Sequence, residues 1–148
     1  MEETERPIIF VDSSVLVAAA ISARGSARDL IVAGLRGELR LRISSLVLEE
    51  TERNLSAKAP AALPLFAVVR ESLEGDLVDP PGDLVVEVAK VVEPKDAPIV
   101  AAALVAQAWY LATYDRKHLL RQKEQIEAEY PIRIMMPSEI VDARSGEP

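Results

Sequence analysis

Short apolar segments that alternate with helical segments are the feature that most restricts the fold of this chain. Pro7–Val11 is an apolar run that ends at Asp12, and Ser13–Ser22 continues as an apolar helix. Neighbouring parallel strands need long crossover connections, which are usually helices. The alternation therefore predicts a mainly parallel sheet that is covered by helices on both faces.

The same alternation runs through the rest of the chain. Strands are also predicted at Leu39–Ser44, Trp109–Thr113 and Ile132–Met135, and helices at Ser26–Leu35, Ser45–Leu55, Pro60–Glu74, Asp83–Val92, Asp96–Gln107 and Arg116–Glu129. We expect an α/β fold, a three-layer α/β/α sandwich with a central sheet of about five strands. Residues 1–148 should form a single domain with its core at about 8–136. Trp109 and Tyr110 are expected in that core.

Composition excludes several classes of protein. The chain has no cysteine, which excludes disulfide frameworks, zinc ribbons and thiol catalysis. His118 is the single histidine, so no mechanism that needs two imidazoles applies. The N-terminus is acidic where a secretory signal would be basic, and the longest apolar stretch, Ala97–Ala112, is shorter than the ~20 residues that span a bilayer. We expect a cytoplasmic protein with no membrane segment.

Net charge argues against a protein that grips nucleic acid by basic charge alone. The chain has 17 basic and 24 acidic residues, for a net charge of −7. Proteins that bind a phosphate backbone through counterion release are usually basic over much of their surface. To bind a phosphate backbone, this chain would need either a local basic face or a bound metal ion.

Four acidic residues are predicted to converge at one edge of the sheet. Asp12 and Asp115 follow predicted strands, whereas Asp96 and Glu50 begin or lie early in predicted helices. Sites in open α/β sheets form beyond the carboxyl ends of the strands. Taken singly, Asp12, Asp96 and Asp115 could each be a helix N-cap, and Glu50 could be a solvated helix carboxylate.

Three motifs that contain these acids resemble the PIN-domain family of metal-dependent nucleases. They are Ile8–Val17, with Val-Asp12-Ser-Ser, then Ile43–Leu55, with Leu-Glu-Glu50-Thr-Glu, and Glu93–Leu119, with Pro-Lys-Asp96 and Thr-Tyr-Asp115. The resemblance covers Ile8 to Met136. It implies a PIN-like fold and nuclease activity.

The resemblance also implies roles for individual residues. It makes Asp12, Glu50, Asp96 and Asp115 both catalytic residues and metal ligands, with hydroxyl support from Ser13, Ser14 and Thr113. Glu49 remains an alternative to Glu50 as the second acid.

The chemistry of carboxylates agrees with this assignment. Two carboxylates 4 Å apart repel each other by ~4 kcal/mol at an effective dielectric constant of 20, so four in one cleft require cations or protons. Mg²⁺ and Mn²⁺ prefer oxygen ligands and can activate a water against a phosphodiester. Candidate phosphate contacts near Asp115 and after the first helix are Arg116, Lys117, Arg121, Arg24 and Arg28, although solvated helix faces account better for any one of them. His118 is either a phosphate contact or an ordinary partly buried histidine.

These observations predict a Mg²⁺- or Mn²⁺-dependent endoribonuclease that hydrolyses RNA. The resemblance further suggests the toxin of a toxin–antitoxin module, with an antitoxin protein as a partner. Apolar residues of the Pro60–Glu74 helix exceed what one buried face needs, so we expect a homodimer.

The alternative to a nuclease is a non-enzymatic PIN-like module that binds protein or RNA through a vestigial acidic site. A haloacid-dehalogenase-type phosphatase is disfavoured because Ser14 stands where its second aspartate would be.

Overall fold

The computed structural model describes residues 6–145. Its strands are β1 (Ile8–Val11), β2 (Arg40–Arg42), β3 (Tyr110–Ala112) and β4 (Arg133–Met135). Its helices are α1 (Ser13–Ile21), α2 (Ser26–Leu35), α3 (Ser45–Lys58), α4 (Leu63–Leu73), α5 (Gly82–Val88), α6 (Ala97–Val105), α7 (Lys123–Glu129) and α8 (Pro137–Ser145). Single 3-10 turns occupy Pro60–Ala62, Glu74–Asp76 and Pro94–Asp96.

The four strands form one parallel sheet in the order β2-β1-β3-β4. The chain moves from β1 to one side to form β2, and then crosses back over β1 to form β3. Right-handed crossovers in opposite directions place their helices on opposite faces of a sheet. The predicted three-layer α/β/α architecture is therefore confirmed.

The sheet has four strands where the sequence predicts about five. At the β2 edge, Leu77 makes a single parallel bridge with Ile43, and the Val78 amide donates to the Ile43 carbonyl at 2.8 Å. Pro80 and Pro81 follow and have no amide hydrogen to donate. A further strand cannot extend through them, because each proline removes a hydrogen bond of the ladder.

The core lies between the central strands and their helices. Ile9, Phe10 and Val11 of β1 and Leu111 of β3 are fully buried, as strands covered on both faces require. Five residues of α6 have no exposed surface, namely Ala97, Val100, Ala101, Ala102 and Ala103. Such small side chains let a helix approach the sheet closely, so the strand ends are held on a rigid base.

The helix predicted at Arg116–Glu129 is wrong in its first half. Residues 116–122 form irregular turns, and α7 begins only at Lys123. The Leu120 amide donates to the Asp115 carbonyl, five residues back, and the Asp115 carboxylate accepts the His118 amide at 3.1 Å. An aspartate that bonds nearby amides competes with the regular helical ladder.

Two further differences concern the surface. Trp109 directly precedes β3 and is 45% exposed, so its predicted place in the core is wrong. Helix α8 was not predicted; it packs on α2 and is held by an ion pair of 2.7 Å between Arg144 and Glu38.

Within residues 6–145, no helix is both long and apolar enough to cross a membrane.

Gly34 shows how closely α2 packs on β2. A Cβ at this position would overlap the buried side chain of Leu41. Alanine favours a helix over glycine by about 1 kcal/mol, whereas overpacking a core costs about 1–3 kcal/mol. We expect Gly34→Ala to lower the free energy of unfolding by about 1 kcal/mol in urea denaturation, because the steric cost exceeds the helical gain.

The control is the same substitution in a Leu41→Ala background. With the leucine shortened, Gly34→Ala should raise the free energy of unfolding. An equal loss in both backgrounds would show that the contact with Leu41 does not limit this site.

Candidate metal centre

A polar cleft lies beyond the carboxyl ends of the strands. Its volume is about 740 Å³, and it is lined by Asp12, Ser13, Ser14, Glu50, Asn54, Lys58, Lys95, Asp96, Ile99, Asp115, His118 and Leu119. All four predicted acids are among these residues. The fold therefore brings them to one site, from the ends of β1 and β3 and from two helical segments.

Asp12 is the most firmly held of the acids. It is 6% exposed and forms the N-cap of α1, with its carboxylate accepting the Ser13 amide at 2.7 Å. The other carboxylate oxygen accepts the Thr113 hydroxyl at 2.7 Å and the Ser14 hydroxyl at 3.0 Å. These three donors fix the carboxylate in one orientation at the base of the cleft.

The two hydroxyls are themselves oriented by the backbone that follows β3. The Tyr114 amide donates to Ser14 Oγ at 3.0 Å, and the Asp115 amide donates to Thr113 Oγ1 at 2.9 Å. A hydroxyl that accepts an amide hydrogen can direct its own hydrogen elsewhere, here to Asp12. The predicted support from Ser14 and Thr113 is thus visible as contacts.

Ser13 contacts a different acid. Its hydroxyl donates to Glu50 Oε1 at 3.2 Å. Ser44 caps α3 by accepting the Val47 amide, and this start places Glu50 in the cleft while the neighbouring Glu49 is exposed. The geometry favours Glu50 over Glu49 as the second acid.

The electrostatics of the cleft oppose ionisation. Burial raises the pKa of the Asp12 carboxyl above its ordinary value. The hydrogen bonds from Thr113, Ser14 and Ser13 lower this pKa, and the negative charge of Asp115 raises it further. Burial also raises the pKa of Glu50; the Ser13 hydroxyl lowers it and the charge of Asp12 raises it. A raised folded-state pKa gives stability that is present at low pH and is lost as pH rises through that value. Without a cation, the ionised acids therefore destabilise the fold.

Asp96 depends on a residue that the sequence did not identify. It is 6% exposed, and its Oδ2 accepts the Gln122 side-chain amide at 2.9 Å. The same amide group donates to the His118 carbonyl at 3.1 Å, while Gln122 Oε1 accepts the Glu93 amide at 2.8 Å. Gln122 is 4% exposed. A buried glutamine within a polar pattern gives no signal that could have distinguished it in the sequence.

The basic residues of the cleft differ from those that the sequence suggests. Among residues 6–145, Lys58 and Lys95 are the cations that line it. Arg116 and Arg121 line a neighbouring cleft, and Arg121 pairs with Glu93 at 3.2 Å. Of the other predicted contacts, Lys117 and Arg24 are exposed, and Arg28 donates to the Ala19 carbonyl, which lies on α1.

Comparisons with known proteins decide the family. A family model described as PIN domain matches residues 9–140. The chain belongs to the PIN-domain family. The crystal structure of PAE2754 from Pyrobaculum aerophilum is similar in fold, with a TM-score of 0.64 and 23% identity over 94% of this chain and 90% of that one. A search of curated protein sequences gave no match.

PIN domains are generally nucleases and typically bind a divalent metal. The donor set of this PIN domain fits such an ion, because the four acids offer oxygen ligands and two of them have a raised pKa that a nearby cation would lower. Glu93, Asp96 and His118 form a tighter group, with ligand atoms that all lie within 4.8 Å of one another. His118 therefore belongs to a group of candidate metal ligands, although its position in the sequence does not indicate this.

Gln122 offers a test of how the cleft is held together. Gln122→Ala removes the partner of the Asp96 carboxylate and of the Glu93 amide, and buried groups that lose a partner cost about 1–3 kcal/mol each. We expect a loss of about 2 kcal/mol in the free energy of unfolding, measured by urea denaturation.

The matched control is Gln125→Ala, which removes an exposed glutamine that bonds the Val91 carbonyl. It should change stability by less than about 0.5 kcal/mol. Equal effects of the two substitutions would contradict the assigned role of Gln122.

Proposed function

We propose that this PIN domain is a ribonuclease that depends on Mg²⁺ or Mn²⁺ and hydrolyses phosphodiester bonds of RNA. Asp12, Glu50, Asp96 and Asp115 would hold the ion. The observation that carries the proposal is the position of these acids around one cleft, with Asp12 buried and bonded by three donors. Four unrelated helix caps would have no reason to share a cleft or such support.

The bound ion would supply a nucleophilic water at neutral pH and positive charge opposite the phosphate. The residues of the chain would bind the ion, and their neighbours orient them for this. Asp12 is fixed by the Ser14 and Thr113 hydroxyls, Glu50 by Ser13, and Asp96 by Gln122. Such preorganisation removes the cost of arranging charges during the reaction, and no histidine base is needed.

Two lysines give the acidic cleft a local positive charge. Lys58 ends α3, and Lys95 precedes Asp96, so both lie where a phosphate would approach the acids. A protein with a net charge of −7 attracts RNA poorly at long range, so local cations and the metal ion must supply the attraction. We therefore assign the phosphate contacts to Lys58 and Lys95, with Arg116, Lys117 and Arg121 as candidates for more distant nucleotides.

The alternative is a non-enzymatic PIN-like module with a vestigial acidic site. A vestigial site has no need to hold its carboxylates ionised and oriented. The hydroxyl contacts orient Asp12 and Glu50 and lower their pKa values against the effect of burial, and they favour an active site.

The central prediction is metal-dependent cleavage that requires the cleft acids. Purified protein should cleave single-stranded or structured RNA with Mn²⁺ or Mg²⁺, and EDTA should abolish cleavage. Asp12→Asn and Glu50→Gln should each lower the cleavage rate at least about 100-fold, because each removes a charge that holds the ion. The measurement is a gel assay with end-labelled RNA.

The control is Glu49→Gln, a change of the same chemistry one residue from Glu50 but on an exposed side chain. It should keep the wild-type rate within about twofold, since exposed positions tolerate substitution. Cleavage that persists in Asp12→Asn and Glu50→Gln would mean that the activity belongs to another site or a contaminant.

Thermal stability provides a test that needs no substrate. An ion at 100 times its dissociation constant that binds only the folded state stabilises by ~2.7 kcal/mol, which should raise the Tm by roughly 5 to 10 °C. We expect this rise with Mn²⁺ for the wild type and little rise for Asp12→Asn or Asp96→Asn. Without metal, Asp12→Asn should also lose less stability than the wild type as pH rises, because it lacks the raised pKa of Asp12.

Scanning calorimetry with Glu49→Gln as the control separates the cleft from general charge effects. Glu49→Gln should respond to Mn²⁺ as the wild type does. An equal rise for all four proteins would show that the cleft acids do not share an ion.

We also propose that the protein forms a homodimer. Leu65 and Val68 of α4 are 40% and 60% exposed, so this helix presents apolar surface that a second copy could cover. Light scattering at micromolar concentration should give about twice the 16.1 kDa mass of the chain. A mass of one chain would contradict the proposal.

The toxin role in a toxin–antitoxin module remains part of the proposal, with the cytoplasm as the location of the RNA substrate and of the antitoxin. Its support is the membership of the PIN-domain family, within which the sequence suggests the toxin role.

A further inference from the structure

A second group of candidate metal ligands adjoins the four acids. Glu93 precedes the 3-10 turn before α6, Asp96 is the last residue of that turn, and His118 lies in the irregular turn after β3. One ligand atom from each of the three lies within 4.8 Å of the others. Asp96 and His118 line the cleft, so this group opens to the same solvent as the four acids.

The Nδ1 atom of His118 is the observation that points to a ligand. Within residues 6–145, it is the buried side-chain polar atom that has no hydrogen-bond partner. It lies 3.6 Å from Glu93 Oε1, which is longer than a hydrogen bond. Two ligands that bind Zn²⁺ at about 2.0 to 2.2 Å lie roughly 3.4 Å apart at a tetrahedral angle. The separation therefore suits two ligands of one ion.

Other contacts leave these ligand atoms available. Arg121 bonds the second oxygen of Glu93 at 3.2 Å, and Gln122 bonds Asp96 Oδ2 at 2.9 Å. The His118 backbone amide is held by Asp115 at 3.1 Å. Such outer contacts orient metal ligands. Lys95 lies 3.5 Å from Asp96 Oδ1, but it is 56% exposed and can move into solvent.

We propose that Glu93, Asp96 and His118 form a second metal site that selects a borderline divalent ion such as Zn²⁺ over Mg²⁺. An imidazole nitrogen with carboxylates suits Zn²⁺, whereas Mg²⁺ prefers an octahedron of oxygens. Three protein ligands leave a further position for water or a phosphate oxygen. Because Asp96 belongs to both sites, an ion in one changes the affinity of the other, in reciprocal fashion. The inference concerns binding and does not depend on nuclease activity.

The single histidine makes the test direct. In untagged, ¹⁵N-labelled protein, the imidazole signals belong to His118 alone. One equivalent of Zn²⁺ should shift the Nδ1 resonance and fix the tautomer that carries its hydrogen on Nε2. The same concentration of Mg²⁺ should leave the resonance in place.

Two matched variants locate the site by calorimetric titration with Zn²⁺. Glu93→Gln should weaken Zn²⁺ binding at least about tenfold, because it removes a charged ligand. Glu49→Gln removes the same charge from an exposed side chain outside both groups of acids and should keep the affinity within about threefold.

Unchanged His118 resonances in excess Zn²⁺ would overturn the second site and show that Nδ1 only pairs with Glu93. Equal Zn²⁺ affinity in Glu93→Gln and Glu49→Gln would overturn it as well. Zn²⁺ binding at His118 in a protein that cleaves no RNA would support the second site and contradict the proposed function. The failures of the two proposals are therefore distinguishable.

Discussion

The Asp12 carboxylate connects the parts on which the site depends. It caps α1, accepts the Ser14 hydroxyl from the same helix, and accepts the Thr113 hydroxyl from the chain that follows β3. Burial disfavours its ionised form, and these bonds favour it. One buried charge therefore links the ends of two central strands, and the other acids are arranged around it.

The sequence predicts this arrangement as far as it depends on strand ends. Asp12 and Asp115 follow apolar runs, and the topology of a parallel sheet brings them together. The order of strands does not predict the contacts that long side chains make. Gln122 reaches Asp96 because residues 116–122 turn irregularly, and the sequence pattern there is that of a helix. The same irregular turn places His118 beside Glu93, 25 positions earlier in the chain.

Electrostatics explains why an acidic protein can act on a nucleic acid. The acids of the cleft repel one another and also repel phosphate. A cation that binds among them therefore stabilises the folded protein. The four oxygen-bearing acids suit Mg²⁺ or Mn²⁺, and the group with His118 suits a borderline ion. Lys58 and Lys95 add positive charge at the same place. Binding of metal and of nucleic acid should therefore be cooperative, since the ion lowers the negative charge that repels phosphate, and a bound phosphate adds negative charge that attracts the ion.

The most direct test is a crystal structure of the protein with Mn²⁺, with anomalous scattering used to locate the ion. The account predicts an anomalous peak in the cleft, within about 2.0 to 2.6 Å of an Asp12 carboxylate oxygen and close to Glu50, Asp96 or Asp115. The hydroxyls of Ser14 and Thr113 should remain on the other Asp12 oxygen. A fully occupied peak elsewhere, with no ion bound to Asp12 at saturating Mn²⁺, would contradict it.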